Sequence, residues 1–134
     1  MKSNNVLVID NDQEFLTFAL NYLSADMKFK HVVKAVSPEE AEIKIKTSRP
    51  DIVILDLGMK EAEKLSSLIK NKANAPILII SCYYTNDDYI KLVIGMKADG
   101  FFLKDEVKTA FPKLIGFLKT DFYDRLRNNL YLMN

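Results

Sequence analysis

The chain has 134 residues, 49% apolar and 28% charged, which suits one ordinary globular domain with a real core. Its 19 basic and 18 acidic residues leave a net charge of +1, which argues against nucleic-acid binding driven by bulk charge. The single cysteine, Cys82, excludes an internal disulfide and points to a reducing compartment. No apolar run nears the roughly 20 residues of a membrane span, and MKSNNVLVID is too short in its apolar part for a secretory leader, so a cytoplasmic location is expected.

In chain order, Asn5–Ile9 is a short β-rich run. It leads through Asp10, Asn11 and Asp12 into a helix on which Phe15, Phe18, Ala19, Tyr22 and Leu23 fall at helical spacing; Asn11 or Asp12 can cap it. His31–Val36 is the second strand. Ser37, Pro38, Glu39 and Glu40 start a helix that runs to about Thr47. Asp51–Leu55 is the third strand, and Glu61–Lys72 a helix with Leu65, Leu68 and Ile69 on one face. Pro76–Ile80 is the fourth strand, followed by a helix over Asn86–Lys97 with Tyr89, Ile90, Val93 and Ile94 inward. Gly100–Leu103 is a short fifth strand. From about Thr109 the pattern is helical, with Pro112 tolerable only in the first turn. Leu114, Leu118, Phe122, Leu126 and Leu130 recur every four residues, so this last helix is expected to extend past a domain of residues 1–120 through an extension, 121–134. The outer part of that stripe either binds a partner or a second copy, or folds back on its own domain.

Five alternating strand–helix units imply a doubly wound α/β fold with a parallel sheet covered on both faces, as the continuous apolar runs VLVI, IVIL and ILII require. In such open sheets ligands bind outside the carboxyl ends of the strands, where the strand order reverses. With the common five-strand order 2-1-3-4-5, Asp10 and Asp56 come side by side. Two close carboxylates demand a countercharge, which either Mg²⁺ or a lysine supplies. Strand 4 adds Ser81 and strand 5 adds Lys104. Acid, acid, hydroxyl and amine on one edge could hold a phosphoryl group on a carboxylate.

The segments VLVIDND, DIVILDLGM, ILIIS and ADGFFLKD, in this order and each at a strand end, resemble the receiver domain of two-component response regulators over roughly residues 5–118. The resemblance implies a phosphoacceptor, Asp56, served by a histidine kinase or phosphotransfer protein. It implies Mg²⁺ held by Asp10, Asn11, Asp56 and the Gly58 carbonyl, a Ser81 hydroxyl that donates a hydrogen bond to a phosphoryl oxygen, a phosphoryl-pairing Lys104, and a switch in which Phe101 swings inward as Ser81 moves. Such a domain is a switch rather than an enzyme in the ordinary sense, and catalyses only its own phosphorylation and hydrolysis. A downstream protein or a homodimer would read it, with the C-terminal helix as the candidate surface.

The chain also departs from the family. Asn11 is neutral where an acid usually contacts the metal, which predicts weaker Mg²⁺ binding, and Asp12 is the better helix cap. Lys60 stands where a proline is usual, Asp105 follows Lys104, and the segment 57–80 between Asp56 and Ser81 is short. These departures support a second reading, a pseudo-receiver that works by phosphate-independent protein binding. A third is a haloacid-dehalogenase-type phosphatase, since VLVIDNDQ also resembles that family's start, with Asp10 as nucleophile and Asp12 as acid/base. His31 reads as a solvated strand residue and Cys82 as a small buried one. Tyr83 and Tyr84 cover either the site or a partner surface.

Overall fold

Residues 5–118 are described by a computed structural model. Strands β1 (Asn5–Ile9), β2 (His31–Ala35), β3 (Ile52–Asp56), β4 (Ile77–Cys82) and β5 (Gly100–Leu103) form one parallel sheet in the order β2-β1-β3-β4-β5. Helices α1 (Gln13–Asn21), α2 (Pro38–Thr47), α3 (Ala62–Lys70), α4 (Asp87–Gly95) and α5 (Val107–Leu118) alternate with them. The doubly wound architecture expected from the apolar runs is therefore present. Residues 121–134, the expected extension, lie outside the described residues, as does the stripe beyond Leu118; Leu114, its first member, is buried.

Alternation along each strand divides the core into two layers. Val6, Val8, Ile54, Ile79 and Phe102 pack with Phe15 and Leu16 of α1 and Phe111 of α5. Leu7, Ile9, Leu55, Ile80 and Phe101 face Ala41 and Ile45 of α2, Leu65 and Ile69 of α3, and Val93 of α4.

Local signals place most helix starts. Asp12, not Asn11, caps α1: its Oδ1 accepts from the Glu14 and Phe15 N–H groups. Ser37 caps α2 ahead of Pro38, and Asn86 caps α4. Three details differ from the sequence expectation. Strands β3 and β4 extend to include Asp56 and Ser81–Cys82, because the ladder continues past the apolar run and pairs Asp56 with Ser81. Ile94, expected inward, is 64% exposed; the inner face of α4 follows the spacing of Tyr89, Val93 and Met96, and Ile94 lies one helical step, about 100°, off Val93. Pro112 sits inside α5 rather than in its first turn, since the helix starts at Val107 after a 3₁₀ turn over Lys104–Glu106. The carbonyl that Pro112 deprives of a donor belongs to exposed Lys108, where solvent can satisfy it. The short path from β3 to α3 is wound by turns in which the Met59 N–H donates to the Asp56 carbonyl and the Ala62 N–H to that of Met59. Glu61 completes the path in the left-handed region, at φ 63°.

Candidate functional site

The carboxyl edge of the sheet gathers the expected groups. Asp10 directly follows β1, Asp56 closes β3, Ser81 is its register partner on β4, and Lys104 directly follows β5. The two acids are neighbours because β1 and β3 pair in parallel, with Ile9 opposite Leu55.

Lys104 is the centre of the arrangement. Its Nζ lies 2.7 Å from Asp10 Oδ2, 3.4 Å from Asp56 Oδ1 and 3.9 Å from Asp12 Oδ2, and its side chain is 3% exposed. The rings of Phe15 and Tyr83 lie against the same ammonium, their centroids 5.0 and 4.8 Å away. Phe15 is itself held by the layer beneath, its ring 6.0 Å from that of Phe102.

Asp10 is fully buried. Its Oδ1 accepts the Asp12 N–H at 2.9 Å, and Oδ2 has no other partner than the ammonium. Burial pushes the Asp10 carboxyl above the ordinary 3.8; the Lys104 contact and the Asp12 N–H resist that push, and the Asp56 charge adds to it. Asp56 keeps 13% of its side chain exposed, enough for a reactant to reach an oxygen. Its neighbour Gly58 lies in an exposed turn, where a Cβ would approach Asp56 Oδ2 to 3.4 Å. The Ser81 Oγ is buried and has no hydrogen-bond partner. A buried hydroxyl without a partner is costly to the fold, so it marks a place where a ligand oxygen would be welcomed.

Asn11 sits exposed at the rim. Phe101 is 3% exposed and packed in the layer shared with α4, so the inward position of the expected swing is already its resting place. The cause is burial: β5 is covered on both faces, and its aromatic residues fill one layer each. His31 is exposed and Cys82 buried, as read from the sequence; burial also raises the Cys82 thiol.

Two contributors go beyond the sequence reading, which took Phe15 for a helix-face residue and left Tyr83 and Tyr84 between the site and a partner surface. Phe15 reads as an ordinary helix-face residue, yet its ring also supports Lys104. Tyr83 turns to the site: its hydroxyl donates to Asp12 Oδ2, which lowers the Asp12 carboxyl and pushes the tyrosine up to about 12. Tyr84 instead meets Tyr89 on the surface, their hydroxyls 3.2 Å apart. Beside Tyr83 and Lys104, a groove of about 540 Å³ runs between the start of α1 and the start of α5, with Phe15 and Phe18 in its wall.

The donor set fits a hard cation. Asp10 and Asp56, the Asn11 amide oxygen and the backbone carbonyl of the Gly58 turn are all oxygen donors, the type Mg²⁺ selects. Three carboxylates around one ammonium leave an excess of negative charge that a divalent ion would offset. Among the described residues no three His, Cys, Asp or Glu side chains form a group that could hold a metal ion, so in this arrangement a cation would rest on two carboxylates, an amide oxygen and a carbonyl, and would keep part of its water.

The model of the response regulator receiver domain family matches residues 6–115. The solved signal receiver domain of a DNA-binding response regulator protein (merR) from Colwellia psychrerythraea 34H is similar, with 27% identity and a TM-score of 0.76 over 85% of this chain and 96% of that one. Two curated proteins align at 29% identity over 58% of this chain. They are protein-glutamate methylesterase/protein-glutamine glutaminase 3 of Rhodopseudomonas palustris (strain BisB18) and transcriptional regulatory protein KdpE of Staphylococcus aureus (strain NCTC 8325 / PS 47). The aligned parts span 21% and 34% of those two proteins.

Proposed function

The chain belongs to the response regulator receiver domain family, a family of phosphoacceptor signalling switches, and on that basis we propose that Asp56 is its phosphoacceptor. The carrying observation is the juxtaposition of a partly exposed Asp56, Lys104 at 3.4 Å, and a register partner, Ser81, whose buried Oγ is unpartnered.

The donor in this reading is a phosphohistidine on a histidine kinase or phosphotransfer protein. An Asp56 carboxylate oxygen attacks phosphorus; the O–P bond forms as the P–N bond breaks, and the imidazole leaves with that bond's electron pair. Lys104 shifts from Asp10 toward the transferred group and offsets its charge, while the Ser81 hydroxyl donates to one of its oxygens. Asp10, Asn11, Asp56 and the Gly58 carbonyl would hold Mg²⁺, which supplies charge neutralisation at the phosphoryl oxygens. The neutral Asn11 makes that binding weak. Return to the resting state is hydrolysis of the acyl phosphate by water.

The relay begins at Ser81. Drawing its Oγ to the phosphoryl group pulls the end of β4 and the loop that carries Tyr83 and Tyr84, and Phe101 adjusts within its layer on the neighbouring strand. A downstream protein or a second copy reads the change. The phosphatase reading is opposed by Asp10, which is fully buried against Lys104 and so poorly placed as a nucleophile. The pseudo-receiver reading keeps one specific support: Lys104 already pairs with both Asp10 and Asp56, and the neutral Asn11 adds no charge to draw a cation.

The deciding experiment is intact mass after incubation with acetyl phosphate, with and without Mg²⁺, for the wild type and Asp56→Asn. A Mg²⁺-dependent gain of one phosphoryl group that Asp56→Asn lacks supports the acceptor. No gain at high Mg²⁺ shifts the assignment to the pseudo-receiver.

A further inference from the structure

Asp12 is an acid beside the site that could replace the charge missing at Asn11, and both its carboxylate oxygens already accept hydrogen bonds. Oδ1 accepts from two N–H groups at the start of α1. Oδ2 faces the site, 3.9 Å from the Lys104 ammonium, and takes the Tyr83 hydroxyl. Tyr83 reaches it from the loop after β4, two residues beyond Ser81, and lays its ring over Lys104 on the way.

We propose that Tyr83 is a positioning residue that sets the divalent-cation affinity of the site, by occupying the Asp12 oxygen that would otherwise join Asp10 and Asp56 as a third anionic ligand. The inference deepens the receiver reading and rests on it. In this reading a cation that engages Asp12 Oδ2 displaces the tyrosine hydroxyl, and release of that hydroxyl frees the loop beyond Ser81. By linkage, whatever factor the latch takes from cation affinity, the cation returns as a shift of the loop toward its released form. Tyr83 thus joins the metal site to the same loop that a phosphoryl group would pull through Ser81.

The test is Mg²⁺ titration by calorimetry, with Mn²⁺ followed by electron paramagnetic resonance as a second probe. It compares the wild type, Tyr83→Phe, Tyr83→Phe with Asp12→Asn, and Asn11→Asp. Tyr83 is 53% exposed, so Phe is tolerated, and Asn at position 12 keeps the helix cap. Far-UV circular dichroism checks that each variant is folded. Tyr83→Phe is expected to bind about tenfold more tightly, and adding Asp12→Asn to erase the gain. Asn11→Asp tightens binding by itself. If Asn11→Asp gains affinity and Tyr83→Phe does not, the latch is wrong and the metal reading stands. A gain in Tyr83→Phe that survives Asp12→Asn also overturns the latch, since the effect then bypasses Asp12. No binding in any variant removes the metal reading and the latch together.

Discussion

Replacing Lys104 with Met leaves two acids facing each other at the sheet edge without their shared counterion. At an effective dielectric near 20, single charges attract by about 6 kcal/mol at the Asp10 distance of 2.7 Å and about 5 kcal/mol at the Asp56 distance of 3.4 Å. Most of that is offset in the wild type by the desolvation of a lysine that is 3% exposed and by the mutual repulsion of the acids. What counts is the charge left behind: removing one partner of a buried pair costs about 3–5 kcal/mol. At about 4 °C per kcal/mol for a domain of this size, the melting temperature should fall by about 12–20 °C at pH 7. The pH dependence carries the logic further. The folded Asp10 carboxyl titrates above its unfolded value because it is buried, so its contribution to stability is full below the unfolded value of 3.8 and is lost as pH rises through the folded value. Without Lys104 that folded value rises further, so the deficit of Lys104→Met should be largest at neutral pH and shrink on acidification. Thermal melts followed by circular dichroism at pH 7 and pH 5 provide the assay. Adding Asp10→Asn should restore much of the lost stability, because the orphaned charge is then gone. A variant as stable as wild type at pH 7, or a deficit that does not change with pH, would refute the view that Lys104 is the structural counterion of the pair.

Two single substitutions test the same site from other sides. Asp10→Asn in the wild-type background should raise the melting temperature at pH 7, with the gain fading as pH falls toward 3.8; its Oδ1 can still accept the Asp12 N–H, and Lys104 keeps Asp56. Ser81→Ala should leave thermal stability unchanged or raised, since the hydroxyl it removes has no partner, while slowing phosphoryl uptake from acetyl phosphate on the order of 100-fold, the effect of losing one donor to developing charge. A large loss of stability in Ser81→Ala would mean that the hydroxyl has a structural bond after all.

The sheet was legible in the sequence because a parallel strand covered on both faces must be apolar without interruption, and VLVI, IVIL and ILII have few other uses. The strand order expected for five such units is enough to place Asp10, Asp56, Ser81 and Lys104 on one edge. What escaped is long-range and side-chain specific. Asp12 reads as a cap and is one, but no local pattern ties it to Tyr83, 71 residues away. Phe15 reads as core and is, but its second role depends on where the lysine after β5 ends up. Ile94 misled because its residue type suggested burial while the spacing of Val93 and Met96 decided the face. Phe101 is packed in its layer as strand aromatics usually are, and no local pattern tells a core ring from one that moves.

The elements that flank the carboxyl edge of the sheet are not held equally firmly. The layer under Lys104 is locked by rings: Phe102 and Phe111 have centroids 5.2 Å apart, and Phe15 contacts both. On the opposite side α4 buries only Val93 among its nine residues and leaves Ile94 to solvent. A disturbance arriving at the sheet edge therefore meets an anvil on one side and a loose hinge plate on the other. Local opening should be cheapest along α4, which would yield while the aromatic layer holds the lysine end of the site in place. Were a partner to push on this edge, the apolar side chains spent on each side would decide which side yields.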